Sequence, residues 1–201
     1  MRTFLVLALA AACALPARAQ QAAPATPKAA PAKAPPPSTP PTTAAQSLDR
    51  QLGIVEADLV PLVEAMPADK FDFTPTGEGF TGVRSFKGQV GHAAGTLLEV
   101  AGALLGEAPA LSEADLQAGP ARLKTKEDFV AYLKDGFARA HKAIATVNDK
   151  NLLEVVGSKN GIRGTRLGLS NLLTWHSFDH YGQLVVYARM NGIVPPASRG
   201  Q

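Results

Sequence analysis

The segment TRLGLSNLLTWHSFDHYGQLVVYARMNG, residues 165–192, decides the fold. It reads as one long helix from Thr165 to Asn191. Gly192 is a stop just past its end, and Pro195-Pro196 cannot continue it. Its apolar residues run nearly all the way round, which predicts the most buried helix of the chain. Within it, His176 and His180 are four apart, so both imidazoles lie on one face, one turn from each other. The same face carries Leu169, Leu172, Leu173, Leu184, Tyr187 and Met190. An unpaired polar group buried there costs roughly 1–3 kcal/mol, so the two rings need partners. A shared divalent metal would serve, and so would a tyrosine or a carboxylate. Trp175, Phe178 and Val185 lie opposite the histidines and need cover, from other helices of the chain or from a second copy in a homodimer.

Three further helical segments precede this one. Ser47 to Met66 has Leu52, Val55, Leu59, Leu62 and Met66 at three-four spacing. Pro61 should kink or split it, and Pro67 ends it. The second helix follows Ser85 as N-cap, runs to about Leu105 and stops at Gly106. Phe86, Val90, Ala93, Leu97, Val100 and Leu104 form its apolar stripe. His92 lies about a third of a turn off that stripe, in a row with Gly88, Gly95, Thr96 and Glu99, where small residues leave room for a neighbour. The third helix opens on Thr125-Lys126-Glu127-Asp128, a capping box with Asp in place of Glu. Its face is Phe129, Leu133, Phe137, Ala140, Ile144 and Val147, and His141 off that face reads as a surface histidine. Gly106–Lys124 and Asn148–Arg163 read as connectors, the latter with a short extended piece at Leu152–Val156. No segment alternates strongly with period two. Four amphipathic helices joined by loops predict an all-α four-helix bundle, whose interior can bring ligands from facing helices together.

The 201-residue chain has a formal charge of +3 and one cysteine. Met1-Arg2, the apolar run Thr3–Leu15 and Ala17-Arg18-Ala19 make residues 1–19 a secretory signal peptide, too short to span a bilayer. No transmembrane span is expected, and the protein is placed in the periplasm or outside the cell. Cys13 lacks the bulky aliphatic residue of a lipidation signal three positions before it, so a lipid anchor there is the lesser expectation. Losing Arg2 and Arg18 leaves the charge near +1, and no nucleic-acid partner is indicated. The mature chain then has no cysteine and no disulfide. Residues 20–45 are almost wholly Ala, Pro and Thr and form a disordered, extended linker, at about 3.1 Å per residue. Residues 46–201 remain as the single domain.

A third ligand for a metal on His176 and His180 must come from another helix. His92 is the first candidate and Glu99 the second. Three neutral imidazoles leave positions open for water or substrate, the pattern of catalytic rather than structural sites. The set suits zinc, nickel, copper or iron, with zinc or nickel preferred. Residue 177 is Ser, so there is no His-Glu-x-x-His protease motif.

The run from His176-Ser-Phe-Asp-His180-Tyr-Gly-Gln183 through Tyr187 and Gly192 to Pro195-Pro196 resembles the last helix of DinB-like (DinB/YfiT) proteins. Ala65-Met66-Pro67 with Phe71, Phe73 and Pro75 resembles the end of their first helix, and Ser85-Phe86 with Gly91-His92 the start of their second. The likeness covers nearly all of residues 46–198. It implies a four-helix bundle with a metal held by His92, His176 and His180. Characterised members include metal-dependent thiol transferases and isomerases, and others have no assigned activity. The signal peptide and spacer depart from the thiol-dependent enzymes, whose thiol cofactors are mainly cytosolic. Two functions follow. One is an exported metal-dependent hydrolase or transferase of a small molecule, with Glu99 moving protons, Tyr187 orienting the ligand, and Asp179 and Gln183 supporting the imidazoles. The other is a non-catalytic binding or stress-related structural module stapled by the metal.

Overall fold

The computed structural model describes residues 40–159 and 161–200. The expected signal peptide, Cys13 and the expected linker as far as residue 39 lie outside the described residues.

Helix α1 spans Ala44–Ala65, capped by the Thr43 hydroxyl, which accepts from the Gln46 amide. It thus begins two residues inside the stretch assigned to the linker. The expected split at Pro61 is absent: α1 runs through it unbroken. The carbonyl left without its donor belongs to Ala57, an exposed residue, where water can take the missing bond.

Helix α2 spans Phe86–Leu104 with Ser85 as N-cap. A short helix, α3 (Glu113–Ala118), then interrupts what reads as a plain connector. At six residues it is too short to show a periodicity; its legible signal was the Ser112 cap, whose hydroxyl accepts from the Asp115 amide. Helix α4 spans Lys126–Ile144, and both halves of the Thr125/Asp128 capping box form. Strands β1 (Val155–Gly157) and β2 (Arg163–Thr165) pair antiparallel, Val156 opposite Gly164. The extended piece expected at Leu152–Val156 is therefore one arm of a small hairpin. Helix α5 spans Arg166–Met190 with Thr165 as N-cap.

The long helices α1, α2, α4 and α5 form the bundle. α2 packs on α4 and α5, and α1 packs on the same two, so α1 and α2 sit diagonally opposite. The link from α1 to α2 crosses the bundle end, which is why it takes residues 66–85 and two 3-10 turns. Phe86, Leu97, Phe137, Leu133, Ile144, Leu52, Leu59, Leu62, Leu173 and Leu184 fill the interior with less than 2% exposure each. Burying each such side chain contributes about 1.5–3 kcal/mol.

The expectation that the last helix is the most buried is corrected. In α2 every residue except Lys87, His92, Leu98 and Glu99 is buried. In α5, Trp175 (58%), Phe178 (38%) and Met190 (49%) remain exposed. The reason is lateral crowding. Both helices have two long neighbours, but Gly and Ala on α2 also let α3 close on it, whereas α5 gains only strand β2 beside α1 and α2. The cover that Trp175 and Phe178 need is not supplied by the described residues. Val185 is half-buried against the core.

Candidate metal centre

His92 is placed by the contact between α2 and α3. Gly91 is buried, and a Cβ there would collide with the Ala118 carbonyl at the end of α3. Gly95, one turn on, faces Leu116. These two glycines let α3 lie against α2, and that brings the Leu116 carbonyl 2.7 Å from His92 Nδ1. A carbonyl only accepts, so Nδ1 carries the proton and Nε2 keeps a free lone pair.

His180 reaches the same tautomer by a longer route. Its Nδ1 lies 2.7 Å from Gln89 Oε1; Gln89 Nε2 donates to Gln183 Oε1 at 2.6 Å; and Gln183 Nε2 donates to Asp179 Oδ2 at 3.0 Å. The Asp179 carboxylate accepts only, which orients both amides in turn. Gln89 must then present its oxygen to His180, so Nδ1 donates and Nε2 is unprotonated. Gln89 is 3% exposed and His180 4%, so this order is enforced by the cost of any buried polar atom left unpaired.

His176, one turn before, is half-buried, and its Nε2 is 3.2 Å from that of His180. The three ring centroids lie 4.5, 4.9 and 5.1 Å apart. One ligand atom from each of His92, His176 and His180 falls within 4.8 Å of the others. Bonds of about 2.0–2.1 Å in tetrahedral directions require nitrogens about 3.3 Å apart, close to the His176–His180 separation. The donor set fits a divalent transition ion.

Burial lowers all three imidazole pKa values, most of all at His180, to about 3, and at His176, to about 4. Repulsion from the neighbouring rings and the charge of Arg84 add to burial at these two, and at His176 the Asp179 carboxylate opposes them. His92 is lowered too, by burial against the opposing Leu116 bond. All three are therefore neutral at physiological pH, the state in which imidazole binds metal.

The other candidates are held elsewhere. Glu99 Oε1 accepts from the Ala110 and Leu111 amides at 2.9 and 2.6 Å and does not join the converging group. It anchors the loop before α3. Tyr187 is buried, donates to the Arg84 carbonyl at 3.1 Å and packs edge-on against Phe73. Ser177, between the histidines, bonds the Leu173 carbonyl within its own helix. Asp179 and Gln183 do lie behind His180. The sequence reading missed Gln89, whose signal was the one side-chain amide of α2, three residues before His92 in a helix made mostly of apolar and small residues. It also missed Leu116 and Arg84, which reach the site only through tertiary contact.

His141 is not a free surface histidine. Its half-buried ring bridges two carboxylates of α1, Nδ1 at 2.6 Å from Asp49 and Nε2 at 3.0 Å from Glu56. Burial opposes its charge, but the two hydrogen bonds and the carboxylate charges outweigh this and raise its pKa.

A family profile described as the DinB superfamily matches residues 51–184. Among solved structures, the chain is similar to a DinB-like protein from Bacillus cereus, with TM-score 0.57 and 14% identity over 77% of this chain and 96% of that one. It is also similar to YfiT from Bacillus subtilis, with TM-score 0.56 and 17% identity over 78% of this chain and 94% of that one. YfiT is described as "a probable metal-dependent hydrolase with an unusual four-helix bundle topology". No curated protein sequence matches the chain.

Proposed function

This chain belongs to the DinB superfamily, and from that premise we propose that it is an exported metal-dependent hydrolase or transferase acting on a small molecule. His92, His176 and His180 hold the ion through Nε2. The observation that carries the reading is the paired tautomer lock: Leu116 and Gln89 each occupy an Nδ1 and leave an Nε2 lone pair facing the same point. A histidine cluster serving only packing would gain nothing from two locked tautomers that leave unprotonated nitrogens beside a third imidazole, 3.2 Å away in the case of His176 and His180. The description of YfiT as a metal-dependent hydrolase supports the class of reaction.

A divalent ion bound there supplies Lewis acidity. The protein's own residues do the rest. Asp179, acting through Gln183 and Gln89, keeps the His180 proton on Nδ1 and raises the donor strength of Nε2. Leu116 does the same for His92. Three neutral ligands leave further positions for substrate. Zinc or nickel suits this set.

The test is elemental analysis of the purified protein beside His176→Ala after mild re-metallation. One equivalent of ion in the first and a large loss in the variant is expected; no stoichiometric metal in either refutes the site. Export is supported by the Met1-Arg2 start, the apolar run and Ala17-Arg18-Ala19. Among the described residues no helix is long and apolar enough to cross a membrane. The mass of the protein recovered outside the cytoplasm should correspond to a start near Gln20. An uncleaved or lipid-bearing N-terminus would overturn that cleavage site.

A further inference from the structure

We propose that Arg84 is the anion-binding residue of the three-histidine site, and that the substrate carries a carboxylate beside its reacting group. This rests on the metal reading above. Two consecutive carbonyls at the end of α3 hold the two side chains: Leu116 O takes His92 Nδ1 at 2.7 Å, and Gln117 O takes Arg84 Nε at 3.0 Å. The guanidinium and the imidazole are thereby set side by side on one short stretch of backbone. Gln117 Oε1 accepts from a terminal nitrogen of Arg84 as well, so one whole edge of the guanidinium is fixed. The donors of its other edge find no partner among the described residues.

Charge makes the assignment specific. Arg84 is half-buried and forms no ion pair with any described carboxylate. Glu113 is the nearest acid along this chain of contacts, and the Gln117 amide stands between, donating to it at 2.7 Å. The repulsion Arg84 exerts reaches all three imidazoles. With a divalent ion on three neutral ligands, the charges of the ion and of Arg84 are opposed in part by Asp179 at His176 and by Glu113 at His92, and the sum of the four is still positive. Such a centre favours an anionic ligand, and a guanidinium with one edge anchored offers the other as a planar fork that matches a carboxylate.

The probes are acetate and its neutral isostere acetamide, titrated into the cobalt(II)-substituted protein and followed by its visible absorption. Acetate should bind the wild type more tightly than acetamide. Arg84→Gln should weaken acetate about ten- to hundredfold, leave acetamide unchanged and keep cobalt affinity within about threefold. Arg84→Lys, which retains the charge without the fork, should fall between; it also serves if the glutamine variant does not fold. Equal acetate affinity in the wild type and in a folded, cobalt-loaded variant overturns the role of Arg84. Parallel loss of cobalt and acetate overturns it too, and assigns Arg84 to positioning His92. Failure of the wild type to take up cobalt sinks the metal reading itself, and this inference with it.

Discussion

Gln89 shows what one buried amide does at this site. It accepts from His180 with its oxygen and donates to Gln183 with its nitrogen, so a single side chain fixes the proton on an imidazole. Gln89→Met keeps the volume and removes both bonds. It should weaken metal binding about 10–100-fold and lower stability by about 1–3 kcal/mol from the unpaired groups; competition with a chromogenic chelator and urea unfolding measure the two. The imidazoles also set a pH dependence. In the unfolded chain they take up protons below about pH 6.5. In the folded, metal-free chain His176 does so only near 4 and His180 near 3. Their contribution to stability is therefore complete above pH 6.5 and lost as the pH falls toward these values. The urea midpoint of metal-free protein should drop more steeply between pH 7.5 and 4.5 than that of His176→Gln, since carboxylates common to both cancel. Parallel slopes would refute the shift at His176.

Two element contacts govern the site and the bundle. Gly91 admits α3 against α2, and Gly91→Ala would drive a methyl into the Ala118 carbonyl. Overpacking of that kind costs about 1–3 kcal/mol. Because the same shift carries Leu116 away from His92, metal affinity should fall together with the melting temperature. A loss of stability with metal affinity intact would separate α3 from the site. The second contact is the clamp of His141 between Asp49 and Glu56, which joins α4 to α1. Its pKa is raised, so its contribution is complete below about pH 6.5 and is lost as the pH rises through the folded-state value. His141→Gln should thus destabilise by on the order of 1 kcal/mol in weak acid, given half-exposed partners, and by less in alkali. Denaturant titrations at pH 6 and 9 check the sign.

At the scale of the whole molecule, the core and the site are separate. Leu, Phe and Val from all four long helices fill the interior, while the triad joins α2 to α5 at its margin, with His92 and His176 only half-buried. Chelation should leave the bundle folded. An ion present at about a hundred times its Kd adds about 2.7 kcal/mol, or roughly 5–10 °C in Tm for a domain of this size. Retained helical circular dichroism with a shift of that order fits a catalytic site. Collapse of the helical signal on chelation would instead make the ion a structural staple and favour the non-catalytic module.

The residue pattern alone determined the four long helices and the spacing of His176 and His180, because amphipathic periodicity, the caps at Ser85 and Thr125, and a turn of 3.6 residues are local properties. It also singled out His92, which the family resemblance reinforced. It left α3 hidden, since six residues show no period, and it overrated the burial of α5, since an apolar circumference does not say how many neighbours a helix has. Glu99 stood on the right helix, yet its carboxylate caps the loop before α3. Only the tertiary structure decided which nitrogens carry protons and that Arg84 stands beside His92. Those facts depend on carbonyls and amides more than 20 residues away in the chain, Leu116, Gln117 and Gln89, whose placement is set by packing.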